Sequence, residues 1–478
     1  MTVDTDALKG LTRAVAAFSA GMSFDRLDAE NVRLARRCVL DGLGVSLGGS
    51  QQHGMAPLMT YLRATGGTEQ ARLLGSRGAA LPAAQAALWM GTAGHAMDWD
   101  DTQLAEGPGR PYGLLMHPTM PPLAAALTTA ELVKSETGAP VDGRRFLAAF
   151  ATGFEACCKI AEAIVPDHYM RGFHTSGTIG TFGAAVAAAH MLGLDEAQTA
   201  VAIGIAASSA AGIRANFGTM TKPLHVGRAG HNGVAAALLA RAGFSANDEA
   251  LDGKWGYLAI AGPGGDPAQV RDRLGSPFTM ASPGVSIKPY PSGVLTHPSM
   301  DALRFLMAEN GLSPYAVESV ELAAGSNVLG PIRFARATTE LEGKFSFQFL
   351  LAAIILTGKA GKAEFTDAFV SSQACQDMQG RITTRFDPEI EAMGWDKIRS
   401  RITLTTRDGR TIVRWADERY RGGPAHPLTD AELEDKVRDC AEGLLGEARL
   451  ATLFGHVWSL QDIDDVGILF DDCAWMDR

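Results

Sequence analysis

The sequence predicts a mainly α protein: a large all-helical domain formed by both chain ends, with a smaller α+β domain inserted between them. Three observations carry this. From Asp28 to about Ala240 the chain is alanine-rich, its apolar stretches punctuated by glycine with almost no β-branched alternation, the pattern of packed helices. Glycine and proline then gather between Gly264 and Val285, and alternating apolar and polar positions follow. After Gly422-Gly423-Pro424 the spacing becomes helical again, so the chain is expected to return to the first domain. The expected boundaries are 1–280, 281–422 and 423–478.

Within the first part, the prolines at 118, 121 and 122 suit the opening of a helix over Pro118–Leu132. Further helices are expected over Gly143–Ile164 and Gly180–Leu192. Gly183, Ala184, Ala185, Ala187 and Ala188 give the last of these small faces that allow close helix approach. In the inserted part, Val317–Ala323 alternates like a strand, and Ile402–Trp415 reads as two strands joined through Asp408-Gly409. Phe345–Leu356 and Phe365–Ser371 read as helices. In the closing part a helix is expected over Asp430–Gly446, with Thr429 as N-cap and Gly446 as stop.

At 478 residues the chain is longer than one compact core normally supports, which agrees with two domains. With 46% hydrophobic and 20% charged residues it reads as folded throughout. The opening MTVDTDALKG has acidic residues where a signal peptide needs basic ones. The apolar stretch Phe349–Leu356 is far shorter than the roughly 20 residues that cross a bilayer. A cytoplasmic protein without membrane association is expected. The net charge of −10 argues against nucleic acid, which needs a basic face. A few cations focused in a cleft still suffice to bind a small anion. The six cysteines are scattered with no C-x-x-C pair and read as reduced, mostly core thiols.

Seven of the eleven histidines fall between 95 and 231, which marks that stretch as a candidate site. In His95-Ala-Met-Asp98-Trp-Asp100-Asp101-Thr102, continued helix would put His95, Asp98 and Thr102 on one face and turn Asp100 away to cap or brace a neighbour. His117-Pro118 closes a loop rich in glycine and proline. His174, in Gly172-Phe-His-Thr-Ser-Gly177, stands before a helix, near its positive end. The glycines at 177, 180 and 183 have nucleotide-loop spacing, but no strand precedes them, so helix packing is the better reading. Lys222 lies at a loop-to-helix junction with Pro223 in the first turn of a helix running to Leu239. A lysine desolvated there acts as acid or base. Lys288 sits in a loop stiffened by two prolines, and His297 reads best as a helix-start residue beside Thr296 and Pro298. Arg214 and the loop over 103–116, with Arg110 and Tyr112, are further candidates for shaping a pocket.

Five strings, GHAMDWDDT (94–102), HPTMPPLAAAL (117–127), GFHTSGTIGTFGAA (172–185), FGTMTKPLHVGRAG (217–230) and KPYPSGVLTH (288–297), together resemble the MmgE/PrpD family over nearly the whole chain. The resemblance implies a helical domain from both chain ends, an α+β lid between them, a homodimer, and no metal or organic cofactor. It implies that Asp98, Thr102, His117, His174, Lys222 and Lys288 line the active cleft, which would then lie between the domains. Family activities include 2-methylcitrate dehydration, cis-aconitate decarboxylation and iminodisuccinate epimerisation. The expected function is a lyase acting on a small anionic polycarboxylate, dehydration of a 2-methylcitrate-like hydroxy acid foremost and epimerisation or decarboxylation as alternatives. His117 and His174 would move protons, Asp98 would orient or charge-stabilise a histidine, and Lys222, Lys288 and Thr102 would hold carboxylates, with Arg214 as a further binding candidate. Two departures weigh against cis-aconitate itself: the loop between Thr102 and His117 is longer than in the decarboxylase, and Gly293 replaces a histidine. Two readings from other classes are a metal-dependent isoprenoid synthase, whose D-D-x-x-D spacing is absent here, and a non-catalytic binding protein.

Overall fold

The computed structural model describes residues 8–76, 78–103, 116–164, 167–262 and 266–475. Arg110 and Tyr112 lie outside these residues. The described chain forms two compact units, one from 8–103, 116–285 and 430–475, the other from 286–429. It is mainly α, with few and small sheets. Among the described residues no helix is long and apolar enough to cross a membrane. All six cysteines are buried free thiols.

In the first unit the principal helices before the insertion are α1 (Ala29–Gly49), α2 (Ala83–Ala96), α3 (Met120–Thr137), α4 (Gly143–Ile164), α5 (Thr175–Met191), α6 (Glu196–Ser209) and α7 (Thr221–Arg241). Glycine sets how close they come. A Cβ on Gly183 of α5 would meet Gly153 O of α4 at 2.8 Å, and one on Gly180 would meet Pro121 of α3 at 2.6 Å. The glycine spacing in α5 is therefore helix packing. The same device joins α2 to α7: a Cβ on Gly91 would lie 3.0 Å from Val226 O, and one on Gly227 would lie 2.0 Å from Thr92 Oγ1 and 2.4 Å from Leu88 O. His95 stands one turn beyond Gly91, and Lys222 just over a turn before Gly227. A crossing of two backbones at van der Waals contact thus delivers both side chains to one place.

The second unit contains α8 (His297–Glu309), β1 (Val317–Ala324), α9 (Phe347–Thr357), β2 (Ile382–Phe386), β3 (Ser400–Thr406) and β4 (Thr411–Trp415). The sheet order is β2-β1-β3-β4. β1 and β2 are parallel (Val320 opposite Ile382), and the other pairs are antiparallel (Leu322 opposite Ile402, Leu404 opposite Ile412). Residues Ser400, Ile402, Leu404 and Thr406 of β3 are buried while their neighbours are half-buried, the alternation expected of a strand with one covered face. The β3–β4 turn carries Gly409 at φ 86°, as the Asp-Gly signal requires. From α9, Phe347, Phe349, Leu350, Leu351 and Ile354 join Leu303, Val320, Leu322 and Ile402 in the core, each such side chain contributing about 1.5–3 kcal/mol of burial.

The chain then returns to the first unit through α10 (Asp430–Ala441) and α11 (Glu447–Trp458). Three element readings need correction. The helix expected over Asp430–Gly446 stops at Ala441, because the chain turns through Gly443 at φ 80°; Gly446 is instead the extended N-cap of α11. α5 starts at Thr175 rather than Gly180, with His174 in extended conformation as its N-cap. α2 ends at Ala96, so His95, Asp98 and Thr102 do not share a helical face.

Candidate active site

The end of α2 places the first group of residues. Met97 closes the helix and Asp98 follows at φ 53°, among the described residues the only non-glycine with positive φ. This left-handed position after a helix usually belongs to glycine or asparagine, and costs other residues roughly 1–2 kcal/mol. The turn breaks the i, i+3, i+7 face and re-aims the side chains. Lys436 of α10 braces it, donating to Trp99 O at 2.7 Å and pairing with the buried Asp41 of α1 at 2.5 Å. Burial raises the Asp41 pKa, the nearby Lys436 opposing it. The return of the chain to this unit thus supports the motif.

Asp100 does not point elsewhere. It turns back onto His95, whose Nδ1 lies 2.8 and 2.9 Å from its two carboxylate oxygens. That contact assigns the proton to Nδ1 and leaves Nε2 as an acceptor. Lys222 Nζ lies 2.7 Å from His95 Nε2 and 3.0 Å from Asp98 Oδ1. All four residues are buried. His117 Nδ1 lies 2.7 Å from Asp101 O, which makes it a donor and turns Nε2 toward Asp98 Oδ1, 3.9 Å away. The backbone N–H of His117 donates to Ser176 Oγ at 3.0 Å, tying the histidine to the start of α5. The His95 and His117 rings meet edge to face at 4.5 Å.

His174 stacks on His95 at 5.6 Å, and its Nδ1 lies 3.0 Å from Nδ1 of His225. Burial drives its pKa well below the usual histidine value, helped by Lys222, His95, His225 and His117; burial and Lys222 lower that of His225 too. Lowered values favour the neutral rings, and between two neutral rings one Nδ1 donates to the other. Nε2 of His174 is buried with no hydrogen-bond partner among the described residues. Phe217, edge-on to His174 at 5.0 Å, also lies 5.3 Å from the Lys222 ammonium. Asp101 faces away from the cluster: it accepts from Thr119 Oγ1 at 2.6 Å, and burial raises its pKa to about 8.

Of the residues singled out in the sequence, Asp98, His117, His174 and Lys222 come together here. Thr102 neighbours them, but its hydroxyl donates to Met116 O at 3.1 Å, so holding a carboxylate would require giving up that bond. Arg214 opens a short 3-10 turn, lays its guanidinium over Tyr169 at 3.9 Å and donates to Tyr169 O at 3.1 Å. Lys288 is fully buried in the second unit. His297 begins α8 and its Nε2 lies 3.2 Å from Ser292 O. Sequence reasoning gave no catalytic or binding role to His95, Asp100 or His225. Asp98 pairs with lysine first, and Asp100 performs the histidine-orienting task expected of Asp98. His95, Asp98, Asp100 and His117 each bring one nitrogen or oxygen within 4.8 Å of one another, the set among the described residues that could hold a metal ion.

Comparison with known proteins identifies the family. The MmgE/PrpD N-terminal domain matches residues 13–269 and the MmgE/PrpD C-terminal domain residues 290–460. The chain is 27% identical to the cis-aconitate decarboxylase of Homo sapiens over 469 residues, covering 97% of this chain and 94% of that one. The mouse enzyme of the same name is 26% identical over 475 residues (97% and 93%), and that of Aspergillus terreus strain NIH 2624 is 24% identical over 492 residues (98% and 97%). With both family domains matched in order and the relatives covered almost end to end, the chain belongs to the MmgE/PrpD family.

Proposed function

We propose that the protein is a lyase acting on a small polycarboxylate by moving a proton at a carbon next to a carboxylate. The observation that carries this reading is the buried Lys222 ammonium, held by His95 and Asp98 close to His174, whose buried Nε2 has no hydrogen-bond partner among the described residues. A carbanion or enolate formed beside a carboxylate needs a cation and a proton donor in a dry place, and this cluster has both. Lys222 stabilises the developing charge. His174 and His117, through Nε2, take or give the proton. Asp98 holds the ammonium, while Asp100 holds His95 in the tautomer that accepts from it. Thr102, Arg214 and Lys288 are the proposed carboxylate-binding residues. Neither a metal nor an organic cofactor takes part in the proposed steps, and the homodimer and cytoplasmic location implied by the family belong to the same proposal.

The first reaction proposed is dehydration of a 2-methylcitrate-like hydroxy acid, in which a carbon-bound proton goes to the base and the hydroxyl leaves as water with a proton from the acid. Support comes from Gly293, where a Cβ would meet only Ile332 Cδ1, at 3.8 Å. Crowding at Cβ therefore does not demand glycine, and the replacement of the decarboxylases' histidine that the resemblance implies is what favours a different substrate. A second reading, decarboxylation, rests on the relatives' names. In it the carboxylate leaves as carbon dioxide, and the electron pair left on carbon takes a proton. Epimerisation would use the same groups on both faces. Proton NMR in deuterated water with methylcitrate, citrate, cis-aconitate and iminodisuccinate separates dehydration, decarboxylation and exchange without net turnover. Turnover of one of them, lost in folded His174→Ala and Lys222→Ala variants, is expected. Full turnover in either variant, or no exchange with any member of the panel, overturns the reading.

A further inference from the structure

We propose that His95, Asp98 and His117 form a divalent transition-metal site, and that the Lys222 ammonium occupies the metal position, so that an ion of the Zn2+ or Co2+ type competes with Lys222 for it. Two imidazoles and a carboxylate converging on one point are a ligand set for such ions. The Lys222 nitrogen lies 2.7 Å from His95 Nε2 and 3.0 Å from Asp98 Oδ1. His117 Nε2 is 3.9 Å from the same Asp98 oxygen, and the cluster brings one ligand atom from each residue within 4.8 Å of the others. Metal bonds of about 2.0–2.2 Å would need His95 and Asp98 to close in by about an ångström or less, and His117 to swing its Nε2 in from beside Asp98.

The surroundings of the two histidines carry the inference beyond ligand count. A metal-bound imidazole almost always donates its other N–H to a carboxylate or a backbone carbonyl, which fixes its tautomer and aims the ligating nitrogen. Both arrangements occur here. His95 Nδ1 faces Asp100 at 2.8 Å, and His117 Nδ1 faces Asp101 O at 2.7 Å. The first contact leaves His95 Nε2 on the ammonium and the second leaves His117 Nε2 on the side of Asp98 Oδ1, and all these groups except the half-buried His117 are removed from solvent. An ammonium there serves as a fixed monovalent cation among ligands arranged as for a divalent one. Removing it leaves ligands and outer partners in place with the competing charge gone.

The test is titration of the purified protein with Co2+, read by its visible d–d absorption and by calorimetric stoichiometry, with circular dichroism as the check on folding. Lys222→Met is expected to bind one Co2+ per chain at least about tenfold more tightly than the native protein. Adding Asp100→Asn to Lys222→Met should weaken this by about tenfold or more through the lost outer partner. Adding His117→Ala should abolish the absorption. Should Lys222→Met not fold, Lys222→Ala takes its place in the same series. Equal Co2+ affinity in the native protein and the Lys222 variant overturns the proposal, as does an absorption band that survives His117→Ala. The readouts do not use turnover, so they stand or fall apart from the proposed reaction.

Discussion

Nε2 of His95 accepts from the Lys222 ammonium at 2.7 Å while Nδ1 of the same ring donates to Asp100 at 2.8 Å, so one imidazole links a buried carboxylate to a buried lysine. The chain has a direction. The Asp100 charge favours the proton on Nδ1, which keeps Nε2 open to the ammonium and ready to receive a proton if Lys222 gives one up. Asp100→Asn keeps the size but lets the amide face Nδ1 with either end. The expected result is a loss of turnover of about 10²-fold or more with KM little changed, because Asp100 is proposed to act through His95 and not on the substrate. Nitrogen-15 NMR of the His95 ring should show the Nδ1–H tautomer in the native protein and a mixture in the variant. A variant that keeps both tautomer and turnover removes Asp100 from the mechanism.

The Asp98–Lys222 pair should behave as a buried ion pair whose members protect each other. Both side chains are at most 7% exposed, and Asp98 Oδ1 lies 3.0 Å from Nζ. Asp98→Asn tolerates the left-handed backbone at φ 53° but leaves a buried ammonium with less compensation. It should be destabilised by a few kcal/mol, roughly 3–5 for a buried pair broken on one side. Lys222→Met in the same chain should restore part of that loss, with a coupling of about 1–3 kcal/mol in a double-mutant cycle. Strictly additive losses in thermal or urea unfolding would show that the two charges do not depend on each other.

Gly227 tests whether helix packing sets the site geometry. A Cβ there would sit 2.0 Å from Thr92 Oγ1 and 2.4 Å from the Leu88 carbonyl, neither the far end of a flexible side chain. Gly227→Ala must move α2 and α7 apart, although neither residue 227 nor its neighbours in α2 take part in the polar cluster. The expected outcome is a lower melting temperature, by an overpacking cost of about 1–3 kcal/mol or more, together with reduced turnover as His95 and Lys222 separate. Gly230→Ala, where the Cβ would lie 3.2 Å from Ala87 O on the same face, should be milder in both measurements. Equal effects from the two substitutions would contradict a contact-controlled crossing.

Strong periodic signals in the sequence survived folding, and signals that depend on a turn did not. Gly143–Ile164, β1 and the Asp408-Gly409 hairpin have the bounds their patterns suggest to within a residue or two, because packing and turn chemistry demand the same thing there. Residues 95–102 failed for a local reason. Continued helix was the natural extrapolation from Pro82, but a left-handed aspartate ended it, and no propensity rule favours an aspartate over glycine there. The missed Asp100 follows from that single break. His225 was quoted inside its string yet passed over, since only the folded chain shows the close approach that seats it beside His174: a Cβ added to Gly177 would lie 2.8 Å from the His225 Cβ. Lys222 does stand at the start of its helix before proline and is buried there, as the junction suggested.

Glu155 gives a pH prediction remote from the cluster. It lies in α4, fully buried, and accepts backbone N–H bonds from Gly275 at 2.9 Å and Thr279 at 2.7 Å, with the Lys159 ammonium 3.8 Å away. Burial raises its pKa from 4.5 to about 7, against the pull of Lys159 and the two N–H groups. An acid whose pKa is higher folded than unfolded binds its proton more tightly in the native state. Its stabilising contribution is therefore complete below pH 4.5 and is lost as pH rises through about 7. The full loss is on the order of 3 kcal/mol. Glu155→Gln has nothing to titrate, so it should lack this component while keeping one acceptor oxygen for the loop at 275–279. Urea unfolding at about pH 5 and about pH 8 should show the native protein losing stability relative to the variant between the two, with a difference that levels off above about pH 8. A native-minus-variant difference that is flat across this range, or that grows with pH, would mean that Glu155 is ionised in the folded protein throughout and that Lys159 outweighs burial.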